Sequence, residues 1–193
     1  MLEQYLIYDC CCTLACIKTG SLFSWPGAAG HTFWLQMAYW NRCLGAKGIC
    51  LRVLRYGKRS VLIYVYRPAR LAADLSRPDT AAFLHSRGYG ALDVESALDT
   101  LTRRLQDYEE FPHEIGLFLD YPLDDVAGFI ENSGKNCRQI GCWKVYANEQ
   151  QAARTFARYR RCREAYIRMW HEGKSPVQLT VAGQRTPQQR CFI

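Results

Sequence analysis

The α/β interpretation of this chain starts from a twelve-residue stretch, Pro112-His113-Glu114-Ile115-Gly116-Leu117-Phe118-Leu119-Asp120-Tyr121-Pro122-Leu123. Pro112 is expected to stop the preceding helix, and Pro122 suits the first turn of the next one. The run between them, 115–119, is continuously apolar, which is typical of a strand covered on both faces. We therefore predict a buried strand here, followed by a turn and the start of a helix.

Other strand patterns lie on both sides of this stretch. Residues 49–55 alternate in hydrophobicity and residues 60–66 are β-branched and aromatic, so the two predict a hairpin whose connection, 56–59, contains Gly. Downstream, 141–147 predicts a fourth strand. A helix between the third and fourth strands would allow them to pair in parallel. The fold class is therefore α/β or α+β, with a small mixed sheet of about four strands covered by several helices.

Helices are predicted where apolar positions recur at helical spacing between capping residues, Pro and Gly. The predicted helices cover 5–15, 32–44, 68–75, 79–87, 93–109, 123–132 and 149–172. Asp93 is the expected N-cap of its helix, and 18–23 is expected to be a loop. The last helix is long and basic, and its aromatic stripe is expected to face the core; the stripe comprises Phe156, Tyr159, Tyr166 and Trp170.

Length and composition favour one globular domain. The chain has 193 residues, of which 49% are apolar, and we assign 1–182 to a single domain and 183–193 to a flexible C-terminal tail. No segment approaches the roughly 18 apolar residues of a membrane span, and the start lacks the basic region of a signal peptide. We therefore expect a cytoplasmic protein without a membrane partner, whose ten cysteines are reduced thiols.

The net charge of +7 is concentrated at the C-terminal end. Residues 150–193 carry nine basic and two acidic residues, whereas residues 1–149 carry sixteen of each. A cationic helix face can bind an acidic protein, a phosphate-bearing cofactor or nucleic acid. Nucleic acid is the less favoured partner, because core-facing aromatics are not available for base stacking. The stripe that forms this face comprises Arg154, Arg158, Arg161 and Arg168.

Four ordered motifs resemble one known family. They are Cys10-x-x-Thr13-Leu14-Ala15-x-Ile17-Lys18-Thr19-Gly20-Ser21-Leu22-Phe23, Leu62-Ile63-Tyr64-Val65-Tyr66-Arg67-Pro68, Phe111-Pro112-His113-Glu114-Ile115-Gly116-Leu117-Phe118-Leu119 and Gly141-Cys142-Trp143-Lys144-Val145-Tyr146. Together they resemble domain-of-unknown-function family 3793 of anaerobic Firmicutes, over roughly residues 1–182. The chain departs from the family pattern at Asp9, Cys12 and Cys16, where His, Pro and Gly are common, and it matches the pattern at Cys10.

The resemblance implies no catalytic residue. Because family members often neighbour flavodoxin-type and iron-handling proteins, it implies a role in anaerobic redox or iron metabolism. Flavodoxin-type proteins are acidic, so one of them is the partner that we expect for the arginine stripe.

Two hypotheses for the chemistry stay open. In the first, the chain is a ligand- or partner-binding accessory protein with a cleft near Thr13, Lys18, His113 and Glu114. Its ligand contacts would come from Thr13, Lys18, Ser21, Asn132 and Lys144. Lys18 and Lys144 would contact an anion, but the Lys18-Thr19-Gly20-Ser21 segment lacks the spacing of a phosphate loop. Neither a cofactor nor an oligomeric state follows from the sequence.

In the second hypothesis the chain is a cysteine-dependent hydrolase or transferase. Cys10 would be the nucleophile and His113 the base that forms its thiolate. An early Cys followed by a later His is the order of the papain-type hydrolases. Glu114 or Asn132 would orient the imidazole. The alternative is a buried Cys and a hydrogen-bonded His without catalytic roles, so the sequence leaves enzymatic activity undecided.

The cysteine spacing predicts no metal site. Cys10, Cys11, Cys12 and Cys16 place four sulfurs within seven residues. Zinc and iron–sulfur sites use separated pairs such as C-x2-C, because adjacent cysteines on a regular backbone point apart. The sequence contains no C-x2-C pair: three residues separate Cys12 from Cys16, and four separate Cys137 from Cys142.

Overall fold

The computed structural model describes residues 1–57, 59–107 and 111–183. The elements follow in the order α1 (Leu2–Tyr8), α2 (Cys11–Leu14), β1 (Gly20–Pro26), α3 (His31–Gly45), β2 (Cys50–Tyr56), β3 (Ser60–Tyr66), α4 (Pro68–Leu75), α5 (Pro78–Ser86), α6 (Val94–Asp107), α7 (Ile115–Phe118), α8 (Leu123–Glu131), β4 (Gln139–Ile140), β5 (Lys144–Val145), α9 (Glu149–His171) and α10 (Pro176–Leu179). Except for Gly183, the predicted flexible tail lies outside the described residues, as do Lys58 of the hairpin connection and the predicted helix end at Glu109. Within the described ranges, every helix is too short or too polar to cross a membrane.

The principal sheet has three antiparallel strands in the order β1-β3-β2. The predicted hairpin is confirmed, with Cys50 opposite Tyr66 and a shift in register between Val53 and Arg55. A loop was predicted over 18–23, but residues 20–23 belong to the third strand, β1, so the loop prediction was wrong for 20–23. β1 pairs with β3, which lies about 40 residues further along the chain. A partner so distant leaves no local signal in the sequence.

Helices cover both faces of this sheet. Val61, Ile63 and Val65 of β3 belong to a core shared with α1, α2, α3 and α9. Tyr64 and Tyr66, which alternate with these residues along β3, belong to a second core that is shared with α4 to α8. Side chains alternate between the faces of a strand, so the central strand contributes to both cores. The fold class is thus confirmed as mixed α/β.

The stretch around 115–119 is buried as predicted, but it is not a strand. It forms the short helix α7, with local bonds from the Leu117 amide to the Glu114 carbonyl and from the Leu119 amide to the Gly116 carbonyl, both at 3.0 Å. A short apolar run is compatible with either a buried strand or a buried helix. Because this strand is absent, the predicted parallel pair and the mixed sheet were also wrong.

Two other predicted elements change in extent. The helix predicted over 5–15 is interrupted after Tyr8 and resumes at Cys11. The fourth strand, predicted over 141–147, shortens to β5, which pairs with β4 in a separate two-stranded ribbon. In both cases the apolar pattern continues beyond the point where the helix or strand ends, so the predicted element is too long.

The remaining predicted helices are present with bounds close to those expected. The Asp93 carboxylate accepts a bond of 3.0 Å from the Ser96 amide, which confirms it as the N-cap of α6. On α9, Tyr159 and Tyr166 are buried, and the other two stripe aromatics pack partly buried against the same core.

A buried arginine ties the two ends of the described chain together. The Arg67 guanidinium donates to the carbonyls of Thr13 at 2.7 Å, Leu14 at 2.8 Å and Val181 at 2.7 Å. Carbonyl dipoles compensate for part of the cost of burying this charge. The contacts fix the end of α2 against the segment that follows α10.

Candidate functional site

A largely apolar cavity of about 400 Å³ opens between the α7–α8 region and the β4–β5 ribbon. Its walls include Phe111, Val126, Phe129 and Trp143, and Ile140 forms part of its rim. The volume lies within the roughly 300–1,000 Å³ range of small-molecule sites. Ile140 is 72% exposed although it is a large apolar residue. The cavity therefore offers a bound molecule an aromatic interior and an accessible entrance. We refer to it as the His113 cavity.

A buried carboxylate holds the ribbon against α8. Asp125 accepts hydrogen bonds from the Trp143 indole at 2.7 Å and from the amides of Tyr146 at 2.7 Å and Ala147 at 3.0 Å. These bonds satisfy both carboxylate oxygens and are strengthened by the charge that they stabilise. Asp125 therefore holds the Trp143 side chain in the cavity wall, and its role is structural.

Two basic side chains line this otherwise apolar cavity. The His113 ring is exposed and lies 4.6 Å from the Phe129 ring, centroid to centroid. Lys144 donates from Nζ to the Gly134 carbonyl at 2.7 Å and lies 5.7 Å from the Phe129 ring centroid. An ammonium group has three donors, so Lys144 keeps capacity for a ligand. The two residues give the cavity hydrogen-bond donors beside an aromatic surface.

Glu114 does not join His113 in this cavity. It is buried and forms an ion pair with Arg104 at 2.6 Å. It also accepts a hydrogen bond of 3.3 Å from the Tyr89 hydroxyl, and burial raises the pKa of that hydroxyl. Because its carboxylate is bound to these partners, Glu114 holds the start of α7 against α6 and against the segment that follows α5, and it does not orient an imidazole.

The structure places Cys10 in the core rather than at the His113 cavity. Its exposure is 0%, and burial raises the pKa of its thiol well above the usual range. Reactive cysteines need a stabilised, accessible thiolate. Among the described contacts, none joins Cys10 to His113. The arrangement therefore lends no support to the cysteine-dependent enzyme.

The other predicted ligand contacts are dispersed. Thr13 and Ser21 are buried and bond to each other at 2.9 Å between their hydroxyl oxygens. Asn132 donates to the Gly128 carbonyl at 2.8 Å, at the end of α8. Lys18 lies 5.4 Å from the Tyr121 ring centroid, and burial lowers the pKa of its ammonium group. Among these predicted residues, His113 and Lys144 both line the His113 cavity.

A family model covers most of the chain. It matches residues 6–180 and carries the description "Protein of unknown function (DUF3793)". The chain belongs to this family. The match confirms the resemblance seen in the four sequence motifs. Neither a curated protein nor a solved structure matches the chain.

Sequence reasoning missed most of the walls of the cavity in this DUF3793 member. Phe111 and Trp143 occur within family motifs, but Phe129 was predicted only as part of the helix over 123–132, and Ile140 lies outside every predicted element. The bond between Asp125 and Trp143 joins residues 18 positions apart. The motif aromatics Phe111 and Trp143 were the available signal, although the motifs do not show that the wall residues converge.

The arginine stripe of α9 forms an exposed face, as its spacing predicted. Arg154, Arg158, Arg161 and Arg168 are all exposed. Arg168 lies 4.0 Å from Glu172, and the other three have no ion pair with the described carboxylates. We call these four residues the arginine face.

Three thiols meet where α2 packs against α9. The sulfurs of Cys11, Cys12 and Cys162 lie within 4.8 Å of one another, and they are the one group of potential metal ligands found among the described residues. Hydrogen bonds from Cys12 and Cys162 lower the pKa of the Cys11 thiol. We call these three residues the thiol cluster.

Proposed function

We propose that this DUF3793 member is a binding protein for a small, largely aromatic molecule that carries one anionic or hydrogen-bond-accepting group. The His113 cavity is the observation that supports the proposal. Its volume of about 400 Å³ suits a small molecule, and its walls are mostly aromatic and aliphatic. Because Asp125 already accepts three hydrogen bonds, we expect the His113 ring and the Lys144 ammonium to provide the donors for a ligand.

The aromatic walls would contribute most of the affinity, and the basic groups would orient the ligand. Burial of apolar surface drives association, and offset or edge contacts between rings favour planar ligands. Lys144 would contact the acceptor group with its ammonium group, which lies 5.7 Å from the Phe129 ring centroid. This division predicts that loss of the lysine charge weakens binding of anionic ligands more than binding of neutral ones.

Anilinonaphthalene sulfonate tests the site, because it combines an aromatic body with one anionic group. We expect the wild-type chain to bind one equivalent with a rise in fluorescence. Ile140→Trp should block the entrance and weaken binding by about tenfold or more, and it should leave folding intact because Ile140 is 72% exposed. Leu35→Trp is the matched control, since Leu35 is 58% exposed on α3, outside the cavity. Equal binding by wild type and Ile140→Trp would refute this assignment.

A second comparison separates charge recognition from apolar binding. N-phenylnaphthylamine is the uncharged counterpart of the sulfonated dye. We expect Lys144→Met to lower the affinity for the sulfonate while leaving the affinity for the neutral dye nearly unchanged. If the two dyes lose affinity equally, the lysine does not contact the anionic group.

We also propose that the arginine face binds an acidic protein, with a flavodoxin-type protein as the expected partner. Three exposed arginines of this face without a described carboxylate partner support this second function. Long-range attraction would accelerate association and would weaken as salt screens it. Eight of the nine described cysteines are free thiols, whereas Cys50 is disulfide-bonded, so the expectation of ten reduced thiols was wrong for Cys50. We propose a cytoplasmic location from the predominance of free thiols.

Charge reversal on the arginine face tests this docking function. We expect Arg158→Glu with Arg161→Glu to abolish salt-sensitive binding to a purified acidic flavodoxin. Arg55→Glu with Arg103→Glu makes the same change in net charge at exposed positions outside α9. If both double variants lose binding equally, net charge alone is responsible. Tight, salt-sensitive binding to unrelated DNA would instead favour nucleic acid as the partner.

A further inference from the structure

The thiol cluster has a geometry that its sequence spacing does not suggest. Cys11 and Cys12 open α2, whereas Cys162 comes from the middle of α9. The Cys11 and Cys12 sulfurs are 3.9 Å apart, and all three sulfurs lie within 4.8 Å of one another. Packing of α2 and α1 against α9 brings them together. The donors therefore converge from two separate elements of the fold.

These separations suit a shared metal ion. A metal about 2.3 Å from each of three sulfurs, in a trigonal plane, places those sulfurs about 4 Å apart. The 3.9 Å separation of Cys11 and Cys12 already matches this value, and Cys162 lies close enough to complete the triangle with a small side-chain adjustment. The arrangement therefore needs no movement of the backbone.

We propose that Cys11, Cys12 and Cys162 form a three-sulfur site for a single Cu(I) ion. Thiolates are soft ligands that favour Cu(I) over hard cations. Among the described residues, the group consists of three cysteine sulfurs, and no histidine or carboxylate joins it as a fourth ligand. Structural zinc sites are almost always four-coordinate and closed, whereas Cu(I) is stable with three sulfur ligands. Thiols that bind the ion release their protons to solvent, and the oxidation states of copper and sulfur do not change.

The surroundings of the cluster are compatible with a buried thiolate–metal group. Cys11 and Cys12 are 3% and 8% exposed, while Cys162 is only partly buried and offers the side of entry. Arg163 interacts electrostatically with Cys11, and the Lys18 ammonium does so with Cys12. Two cations would offset the net negative charge of a Cu(I)–thiolate group.

Anaerobic competition with a chromogenic Cu(I) chelator, bicinchoninate, tests the proposal. We expect the reduced full chain to remove one equivalent of Cu(I) from the chelator. Cys162→Ser should weaken binding by about tenfold or more, since two sulfurs remain. Cys43→Ser and Cys137→Ser are matched controls, because both residues are free, partly buried cysteines outside the cluster, and their affinities should equal that of wild type. Equal affinity in Cys162→Ser and wild type overturns the proposal.

Two further measurements keep the result interpretable. A bound ion stabilises the native state, so Cu(I) should raise the unfolding temperature of wild type but not that of Cys162→Ser. This also shows whether the variant folds; if it does not, Cys11→Ser provides the same comparison. A parallel titration with Zn²⁺ tests the identity of the metal. Zinc binding that depends on Cys162, without Cu(I) binding, would overturn the copper assignment.

Discussion

The β2–β3 hairpin and the 112–123 segment look alike in sequence but fold differently. Both contain short apolar runs beside turn residues, and most side chains of these runs are buried. The hairpin has a partner strand nearby in the chain and pairs along its length. In the 112–123 segment, by contrast, the backbone hydrogen bonds join residues three to five positions apart within and beside α7. A strand is stable only where another strand satisfies its backbone groups, and hydrophobicity alone does not provide that information.

The first prediction asks whether both regions contribute equally to the core. Phe118→Ala in α7 should lower the free energy of unfolding by about 3–5 kcal/mol, and Ile63→Ala in β3 by about 2–5 kcal/mol. Both side chains are completely buried, so each substitution leaves a cavity. Urea unfolding measures the two losses, with the exposed Leu35→Ala as the control. A loss below about 1 kcal/mol for Phe118→Ala would show that α7 is peripheral.

The second prediction tests the close packing of α7 against α8. A Cβ at Gly116 would lie 2.7 Å from Val126 Cγ2 and 3.1 Å from the Tyr121 ring. Gly116→Ala should therefore destabilise the protein by about 1–3 kcal/mol, although Ala favours helices. Gly90→Ala is the matched control, because nothing lies within 4 Å of its added Cβ. Thermal unfolding that ranks the two variants equally would contradict the packing of α7 on α8.

The third prediction concerns the bond that links the two regions. The buried Tyr64 hydroxyl on β3 donates to the Phe118 carbonyl at the end of α7. Tyr64→Phe leaves that carbonyl without this donor, so unfolding should become easier by about 1–2 kcal/mol. Tyr56→Phe, at an exposed position on β2, should have no measurable effect in the same denaturant titration. If the two variants match, the bond does not join the regions in solution.

The smallest expected effect is a pH dependence at the end of the 112–123 segment. Burial, reinforced by Asp74, raises the pKa of Asp120. An ionised carboxylate with a raised folded-state pKa disfavours folding at neutral pH, and this cost is relieved as the pH falls through that pKa. Asp120 also has φ +63°, a conformation that Asn accepts. Asp120→Asn should therefore be more stable than wild type at pH 7, by less than about 1 kcal/mol.

This advantage should shrink as the solution is acidified. Unfolding free energies of both proteins across a pH series measure the change, and Asp124→Asn, at an exposed position, controls for overall charge. An advantage that grows on acidification would show that the Arg70 ion pair at 3.4 Å outweighs the cost of burial.

The sequence predicted those parts of the molecule whose signals are local. Pro at the first turn identifies α4 and α5, Asp93 caps α6, and aromatic spacing identifies the buried side of α9. The arginine face was likewise visible, since residues at helical spacing share one side of a helix. Each of these inferences depends on neighbours within a few residues.

The candidate sites could not be predicted in the same way. His113 and Lys144 were identified individually, but their common cavity depends on the β4–β5 ribbon and its bonds to Asp125. The thiol cluster was excluded by spacing, because Cys162 lies 150 residues from Cys12 along the chain. Proximity of this kind follows from helix packing and leaves no periodic trace.

By itself, the sequence determined the α/β class, the hairpin, the N-cap of α6, the charged face of α9 and the family. All of these follow from backbone preferences and side-chain periodicity over short distances. Only the tertiary structure decided that 115–118 is helical, that 20–26 becomes the third strand, and which cysteines meet. The physical reason is that backbone pairing and side-chain convergence depend on partners far away in the chain, and long-range packing selects among local conformations of similar energy.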